Sequence, residues 1–241
     1  TDGPLGFLVV HYDAPGAVRG YASFDADKVA SLSARHGGIE PGELLGMGRM
    51  AMTIDPGGRE VSHQGIVALD GGSLTDAAHA YFRQSEQLPT FIRLSVARQM
   101  VTGVPAGQSP WRWRSGGLIL QHVPRLGGDP RPDETPEERD ARLHGEDDDD
   151  WLRVATLAAT VENHELIDPT LSPERLLMRL FHEEGVRVAD ETPIAARCRC
   201  SRTRIVGFLR GFSASDLADM REPDGAVTVT CEFCSTRYRF D

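Results

Sequence analysis

The chain has 241 residues, of which 40% are hydrophobic and 7% aromatic, and its formal net charge at pH 7 is -10. This length is enough to build a hydrophobic core without disulfides, and the acidic balance argues against general affinity for nucleic acid or anionic membranes. No apolar run approaches the roughly 20 residues needed to span a bilayer, and no signal-peptide pattern is visible.

Residues 1–126 predict an α+β core domain, rich in β-strands and with packed helices. Alternating apolar residues indicate the strands, and turn residues such as those at 55–58 separate them. Ser73 can cap a helix whose apolar residues recur at helical spacing, and Pro89 ends that helix. The predicted strands are 7–10, 18–24, 47–54, 61–69, 91–96 and 118–123, and the predicted helices are 27–36 and 74–88.

Residues 127–150 differ from the rest of the chain in composition. They are rich in Asp and Glu, contain three prolines and have almost no apolar side chains. Such a stretch cannot bury enough apolar surface to fold alone, so we predict an acidic flexible loop. A solvated insertion is favoured over an acidic docking tail, because runs of like charge usually face solvent.

Residues 151–197 predict a helical linker subdomain. One helix covers 151–161, and a second begins at Ser172, with Pro173 in its first turn and Gly185 after its end. Both helices have one apolar face, formed by Trp151, Val154, Leu157, Ala158 and Val161 in the first and by Leu176, Leu177, Leu180 and Phe181 in the second.

All four cysteines, Cys198, Cys200, Cys231 and Cys234, fall within the last 44 residues. Two short pairs, C-x-C and C-x-x-C, are separated by thirty residues. Zinc prefers four thiolates at tetrahedral corners, and such clustering argues for metal binding in a reducing compartment rather than for a disulfide scaffold. The sequence therefore predicts one zinc ion per chain in a C-terminal module, 198–241; two disulfides or four unrelated thiols are the alternatives.

Four arginines and no acidic residue surround the first cysteine pair: Arg197, Arg199, Arg202 and Arg204. Positive charge lowers the pKa of a thiol, which would favour thiolates that bind metal and react with oxidants. A solvated basic strand that balances the negative charge of a four-thiolate metal centre is the other interpretation. The two are compatible.

Three separate blocks of this sequence resemble one known family. Arg-Cys-Arg-Cys-Ser-Arg at 197–202, together with Cys-Glu-Phe-Cys at 231–234, is similar to the redox switch of the heat shock protein 33 family, which are ATP-independent holdase chaperones. Arg-Gln-Ser-Glu-Gln-Leu-Pro-Thr at 83–90 resembles part of that family's core domain, and Leu-Phe-His-Glu-Glu-Gly-Val at 180–186 part of its linker. The blocks come in the family's order, and the resemblance spans essentially the whole chain. The family has several tens of residues before the position that matches Thr1, so we expect that N-terminal segment to be missing here.

The resemblance implies a mechanism and partners. Reduced cysteines hold zinc and keep the protein a poor chaperone; oxidants remove the metal and join Cys198 with Cys200 and Cys231 with Cys234. The linker helices then loosen and bind unfolding client proteins without catalytic turnover, and homodimerisation accompanies activation. We expect a cytoplasmic stress-response protein with no nucleic-acid or membrane partner. The candidate client-binding residues are Trp151, Leu157, Leu176, Leu177, Leu180 and Phe181.

Three other functions agree less well with the sequence. A zinc hydrolase is disfavoured because neither His164 nor His182 belongs to an H-E-x-x-H motif, and four thiolates leave no position for a catalytic water. A thioredoxin-like enzyme would need its C-x-x-C at the start of a helix within a βαβ unit. A zinc ribbon that binds nucleic acid or protein is the main alternative, favoured by the arginines near the cysteines and by the basic and aromatic cluster Trp111, Arg112, Trp113 and Arg114.

Overall fold

A computed structural model describes residues 1–36, 39–105, 107–123, 135–138 and 149–240. Contacts divide the chain into two compact units: the first unit comprises Thr1–Asp2 and Ile39–Ala189, and the second unit comprises Gly3–Gly38 and Asp190–Asp241. These units group the chain differently from the four segments predicted from the sequence, which stay a prediction. Most of the predicted acidic loop, 127–150, lies outside the described residues.

The described elements mix helices and strands, which confirms the α+β class. The strands are β1 (Leu5–Asp13), β2 (Ala17–Phe24), β3 (Met47–Ile54), β4 (His63–Asp70), β5 (Thr90–Met100), β6 (Trp111–Gln121), β7 (Ala195–Ala196), β8 (Val227–Thr230) and β9 (Arg237–Phe240). The helices are α1 (Ala26–His36), α2 (Pro41–Leu45), α3 (Leu74–Tyr81), α4 (Asp149–Ala159), α5 (Asn163–Ile167), α6 (Pro173–Phe181), α7 (Arg202–Leu209) and α8 (Ala214–Asp219). No helix in the described part of the chain is long and apolar enough to cross a bilayer.

In the first unit, the antiparallel hairpin β3–β4 packs against α3. Ser73 caps α3 as predicted: its Oγ accepts a hydrogen bond from the Asp76 amide, and the Asp76 carboxylate accepts one from the Ser73 amide. The predicted extension of this helix to residue 88 is wrong. The chain passes at Phe82 into a π-helical turn that ends with Gln87 in the left-handed region, so the α-helical repeat stops at Tyr81.

The strands β5 and β6 form a second antiparallel hairpin, and its apolar residues meet helices α4–α6. Both strands are longer than predicted, because the outer part of the ribbon pairs through to Met100 and Trp111 despite its polar residues. The buried side chains of this cluster, described here as the helical cluster, are Leu118, Ala158, Val161, Leu176, Leu180 and Phe181.

Leu180→Ala is expected to lower the free energy of unfolding of the first unit by about 2–5 kcal/mol, the usual effect of truncating a buried leucine. Leu180 is 4% exposed within the helical cluster. Met178 lies on the same helix but is 57% exposed, so Met178→Ala should change the free energy by no more than about 0.5 kcal/mol. Urea unfolding followed by tryptophan fluorescence measures this, since all three tryptophans belong to the first unit. Equal effects of the two substitutions would contradict the assigned core.

In the second unit, β1 and β2 form an antiparallel hairpin, here called the β1–β2 hairpin, and β7 joins β2 in parallel. The short hairpin β8–β9 and helices α7 and α8 complete the C-terminal part. The parallel pairing explains why residues 3–38 group with the cysteines, since it joins positions that are far apart in sequence.

Candidate metal centre

The first cysteine pair follows strand β7. The Arg197 amide donates to the Val18 carbonyl at 3.0 Å, so the chain is held on β2 up to the residue before Cys198. The backbone N–H of Cys200 then points to Cys198 Sγ at 3.5 Å, a turn that brings both sulfurs to one side. Ser201 ends this turn by capping α7 through its Oγ, which accepts from the Arg204 amide.

The second cysteine pair lies in the turn between β8 and β9. The Cys231 amide donates to the Thr236 carbonyl at 3.0 Å, and the Ser235 amide donates to the Cys231 carbonyl at 2.7 Å. Ser235 has a φ of 57°, in the left-handed region that closes the turn. The hairpin thus directs Cys231 and Cys234 towards the first pair.

All four sulfurs lie within 4.8 Å of one another. Cys198 Sγ is 3.5 Å from Cys231 Sγ, and Cys200 Sγ is 3.3 Å from Cys234 Sγ. Corners of a tetrahedron with metal–sulfur bonds of about 2.3 Å are about 3.8 Å apart, so this donor set fits a four-coordinate thiophilic metal. Within the described residues, these cysteines are the only group of three or more potential ligand side chains close enough to share a metal ion.

The crowded sulfurs differ in their acidity. Hydrogen bonds from the side chain and backbone of Thr236 lower the pKa of Cys234 to about 6, while the backbone N–H of Cys200 lowers the pKa of Cys198. The Tyr238 hydroxyl, 3.2 Å from Cys200 Sγ, lowers the pKa of Cys200, but the sulfurs of Cys234 and Cys198 outweigh it and raise that pKa to about 12. The proximity of the other sulfurs thus disfavours a fourth thiolate at Cys200, and a cation bound among the sulfurs would offset that repulsion.

Three of the four arginines around the first pair make side-chain contacts with groups other than the sulfurs. Arg199 forms an ion pair with Asp13, and Arg202 lies over the ring of Phe240 at 4.5 Å. Arg204 Nη1 donates to the Arg199 carbonyl. The shifts in thiol pKa therefore come from neighbouring hydrogen bonds and sulfurs, and the basic stretch from Arg202 onward is helix α7 rather than the strand considered above.

Sequence reasoning missed Thr236 and Tyr238 as neighbours of the sulfurs. Thr236 Oγ1 is 3.2 Å from Cys234 Sγ, and Tyr238 lies on β9. Cys234, Thr236 and Tyr238 are two residues apart, and residues at this spacing in an extended chain face the same side. This spacing could have predicted that both hydroxyl groups lie near the sulfur of Cys234.

The part of the chain that carries the cysteines has almost no hydrophobic core. Of residues 198–240, only Ala226 and Val227 are buried. So small a buried core contributes little to folding. We therefore expect a cross-link among the cysteines to be important for keeping the predicted module, residues 198–241, folded.

The residues predicted to bind clients belong to the first unit, whereas the cysteines belong to the second. Leu176, Leu180 and Phe181 are buried in the helical cluster, and Leu157 and Leu177 pack against it partly buried. Trp151 is also half-buried, with its ring stacked on His122 at 6.1 Å. In this folded state these side chains form a core.

The histidines and the basic and aromatic cluster considered for other functions belong to the first unit. The two histidines considered for a hydrolase are surface residues, each near a neighbouring glutamate: His164 with Glu162, and His182 with Glu183. The guanidinium of Arg98, on β5, lies 5.2 Å from the Trp111 ring and 5.9 Å from the Trp113 ring, both on β6. The two arginines of the cluster donate to backbone carbonyls, Arg112 to Ser109 and Trp111, and Arg114 to Asp168.

Comparison with known proteins gives one family. The sequence model of the family described as Hsp33 protein matches residues 1–241. The 33 kDa chaperonin of Caulobacter vibrioides is 43% identical over 242 residues, covering 100% of this chain and 72% of that protein. The 33 kDa chaperonin of Ectopseudomonas mendocina is 35% identical over 242 residues, covering 100% of this chain and 70% of that protein.

A solved structure has the same fold. The crystal structure of the 33 kDa chaperonin (heat shock protein 33 homolog) from Thermotoga maritima superposes with a TM-score of 0.68 at 19% identity, covering 100% of this chain and 71% of that one. At this identity the superposition establishes the fold alone. Together with the match along the whole sequence, these findings show that the chain belongs to the Hsp33 family.

Proposed function

We propose that this protein is an ATP-independent holdase that oxidation of a zinc-bound four-cysteine centre activates. Two observations together support the proposal. Four sulfurs lie within reach of one metal ion, and among residues 198–240 only Ala226 and Val227 are buried. In such a module, the chemical state of the cysteines decides whether the polypeptide is folded.

Zinc is the metal that the donor set favours. Four cysteine sulfurs without histidine or carboxylate suit a closed structural zinc site, and bound zinc supplies a cross-link that stabilises the module. One ion per chain is expected, held by Cys198, Cys200, Cys231 and Cys234. Since no ligand position stays open for water, the site serves structure and redox chemistry, with no catalytic turnover.

The oxidation step involves only the cysteines and a peroxide or hypochlorous acid. One thiolate attacks the peroxide to give a sulfenic acid and hydroxide, and a second thiolate displaces hydroxide from that sulfur to form a disulfide. Each disulfide releases two electrons, which reduce one peroxide to two water molecules after protonation. Two disulfides remove all four metal ligands.

The disulfide pairing proposed is Cys198 with Cys200 and Cys231 with Cys234, as the family resemblance implies. In the folded state Cys198 and Cys231 are also close, so distance alone does not select the neighbours. Once the module opens, partners one or three positions apart stay together, while closing a loop of more than thirty residues costs conformational entropy.

Client binding would follow from the loss of the module. The chain runs from α6 directly through residues 182–197 into the cysteines, and short helices such as α5 and α6 depend on packing for their stability. Opening the helical cluster would expose Leu157, Leu176, Leu180 and their neighbours, which can bind unfolding proteins by burying apolar surface. The same surface would support a homodimer, and the reducing cytoplasm suits the resting thiolate state.

Metal and thiol counts before and after oxidation test the site. The reduced protein should contain one zinc ion per chain, with all four thiols protected from a thiol reagent until the metal is released. Hydrogen peroxide should then release one zinc ion and form two disulfides, identified as neighbouring pairs by peptide mass spectrometry. A histidine or carboxylate ligand, or fewer than four protected thiols, would show that the site is assigned incorrectly.

A further inference from the structure

The residues enclosed by each cysteine pair contact the same hairpin in the second unit. Arg199, between Cys198 and Cys200, forms an ion pair with Asp13 at the end of β1. Phe233, between Cys231 and Cys234, lies under the Arg19 guanidinium, 4.5 Å from the ring centroid, and 6.3 Å from the Tyr21 ring. Both metal-binding loops are thus anchored at their centres.

The anchoring residues lie on one face of the β1–β2 hairpin. Antiparallel partners share a face, and the register pairs Asp13 with Ala17, His11 with Arg19, and Val9 with Tyr21. Asp13, Arg19 and Tyr21 therefore point to the same side. This face is one surface that receives both loops.

Contacts with His11 fix the position of the Arg19 side chain that packs on Phe233. Its Nη2 and Nε lie 2.8 Å and 3.2 Å from His11 Nδ1, where a neutral imidazole accepts hydrogen bonds. His11 Nε2 is 3.4 Å from Asp13 Oδ1, so one row of polar groups connects the anchor of the first loop with that of the second. A guanidinium fixed in this way loses less side-chain entropy on contact with the ring.

A third connection lies just before the first cysteine. The Ala195 amide donates to the Gly16 carbonyl at 2.8 Å. The hydrogen bonds to β2 continue as far as Arg197, the residue after β7. A Cβ placed on Gly16 would be 2.1 Å from the Pro193 carbonyl oxygen, so the turn of the hairpin needs glycine for this close approach. The cysteine module is joined to the hairpin both at its entry and at its two loops.

We propose that the β1–β2 hairpin acts as a latch for the metal centre, in which Asp13, Arg19 and Tyr21 hold the two loops and slow the release of the metal on oxidation. The inference rests on the proposed function, because it concerns the retention of that metal. The two cysteine pairs can move apart only if at least one of the two loops leaves the hairpin face, so the contacts of Arg199 or Phe233 that are lost add to the barrier to opening. Asp13, Arg19 and Tyr21 are positioning residues, since they hold the loops without touching the metal ligands.

The rate at which hydrogen peroxide releases zinc to a chromogenic chelator measures this effect. Arg19→Ala and Phe233→Ala should each accelerate release about two- to fivefold, the range of a cation–π contact that is only partly desolvated. The double variant should be little faster than either single variant, because the two substitutions remove the same contact. Phe233→Tyr keeps the ring and should restore the wild-type rate.

Arg202→Ala is the matched control. It removes an arginine–aromatic contact of the same 4.5 Å length, with Phe240, in which both residues belong to the module. Its release rate should stay within about twofold of wild type. If Arg202→Ala accelerates release as much as Arg19→Ala, the effect is one of general module stability and the latch is wrong.

The two proposals fail in different ways. If the wild-type protein binds no zinc, the proposed function is wrong, whatever the variants do. A wild-type protein that binds one zinc and releases it on oxidation, with Arg19→Ala and Phe233→Ala releasing it at the wild-type rate, would overturn the latch alone. Zinc content measured before oxidation verifies that each variant has assembled its site.

Discussion

Oxidised, metal-free protein is expected to suppress the light scattering of a heat-aggregating client at about equimolar concentration, whereas the reduced, zinc-loaded protein is expected to have little effect. In the reduced state Leu176, Leu180 and Phe181 are at most 7% exposed, so the surface that would bind clients is inside the helical cluster. Under the proposed function, oxidation would remove the cross-link that stabilises the cysteine module. Equal suppression by both forms, or none by either, would contradict the redox switch.

Cys231→Ser tests whether the cysteines are responsible. This variant can neither complete the four-sulfur site nor form the second disulfide, so peroxide should no longer change its suppression of aggregation. Thr230→Ser is the matched control, because Thr230 is the preceding residue, is exposed and has no sulfur. It should respond to peroxide as the wild type does. A Cys231→Ser protein with an intact response would exclude that cysteine from the switch.

Local signals in the sequence were enough to predict much of the fold. Ser73 and Ser172 each accept an amide hydrogen bond at the start of a helix, as predicted. The cysteine spacing predicted the group of four sulfurs, and the structure confirms their convergence. The helix caps depend on contacts between residues a few positions apart, and the spacing of the cysteine pairs is typical of metal sites.

The elements that the sequence did not predict either lack an apolar pattern or depend on contacts between residues far apart in sequence. Helix α7 carries basic residues and Gly207, so no apolar stripe indicated it, and its start depends on the cap at Ser201. Strand β7 has only two residues and exists because β2 provides hydrogen-bond partners. The hairpin face that meets Phe233 could not be found from periodicity, because periodicity gives the two faces of a strand but not what covers them.

Removing zinc with a chelator under reducing conditions is expected to unfold the cysteine module without any oxidation. Structural zinc contributes an apparent ~10–16 kcal/mol to the folding of small modules, far more than the burial of Ala226 and Val227 can supply. Hydrogen exchange measured by mass spectrometry should therefore show that the amides of β8 and β9 lose their protection. Adding one equivalent of zinc should restore it.

The strands β3 and β4 serve as the internal reference for that experiment. They belong to the first unit, where Val67, Leu69 and Tyr81 form a buried cluster that includes no metal ligand, so their amides should stay protected when zinc is removed. If β8 and β9 also stay protected in the reduced, metal-free protein, the module folds without a cross-link. Oxidation of the cysteines would then have no large folding free energy to release, and the proposed coupling between thiol chemistry and client binding would lose its physical basis.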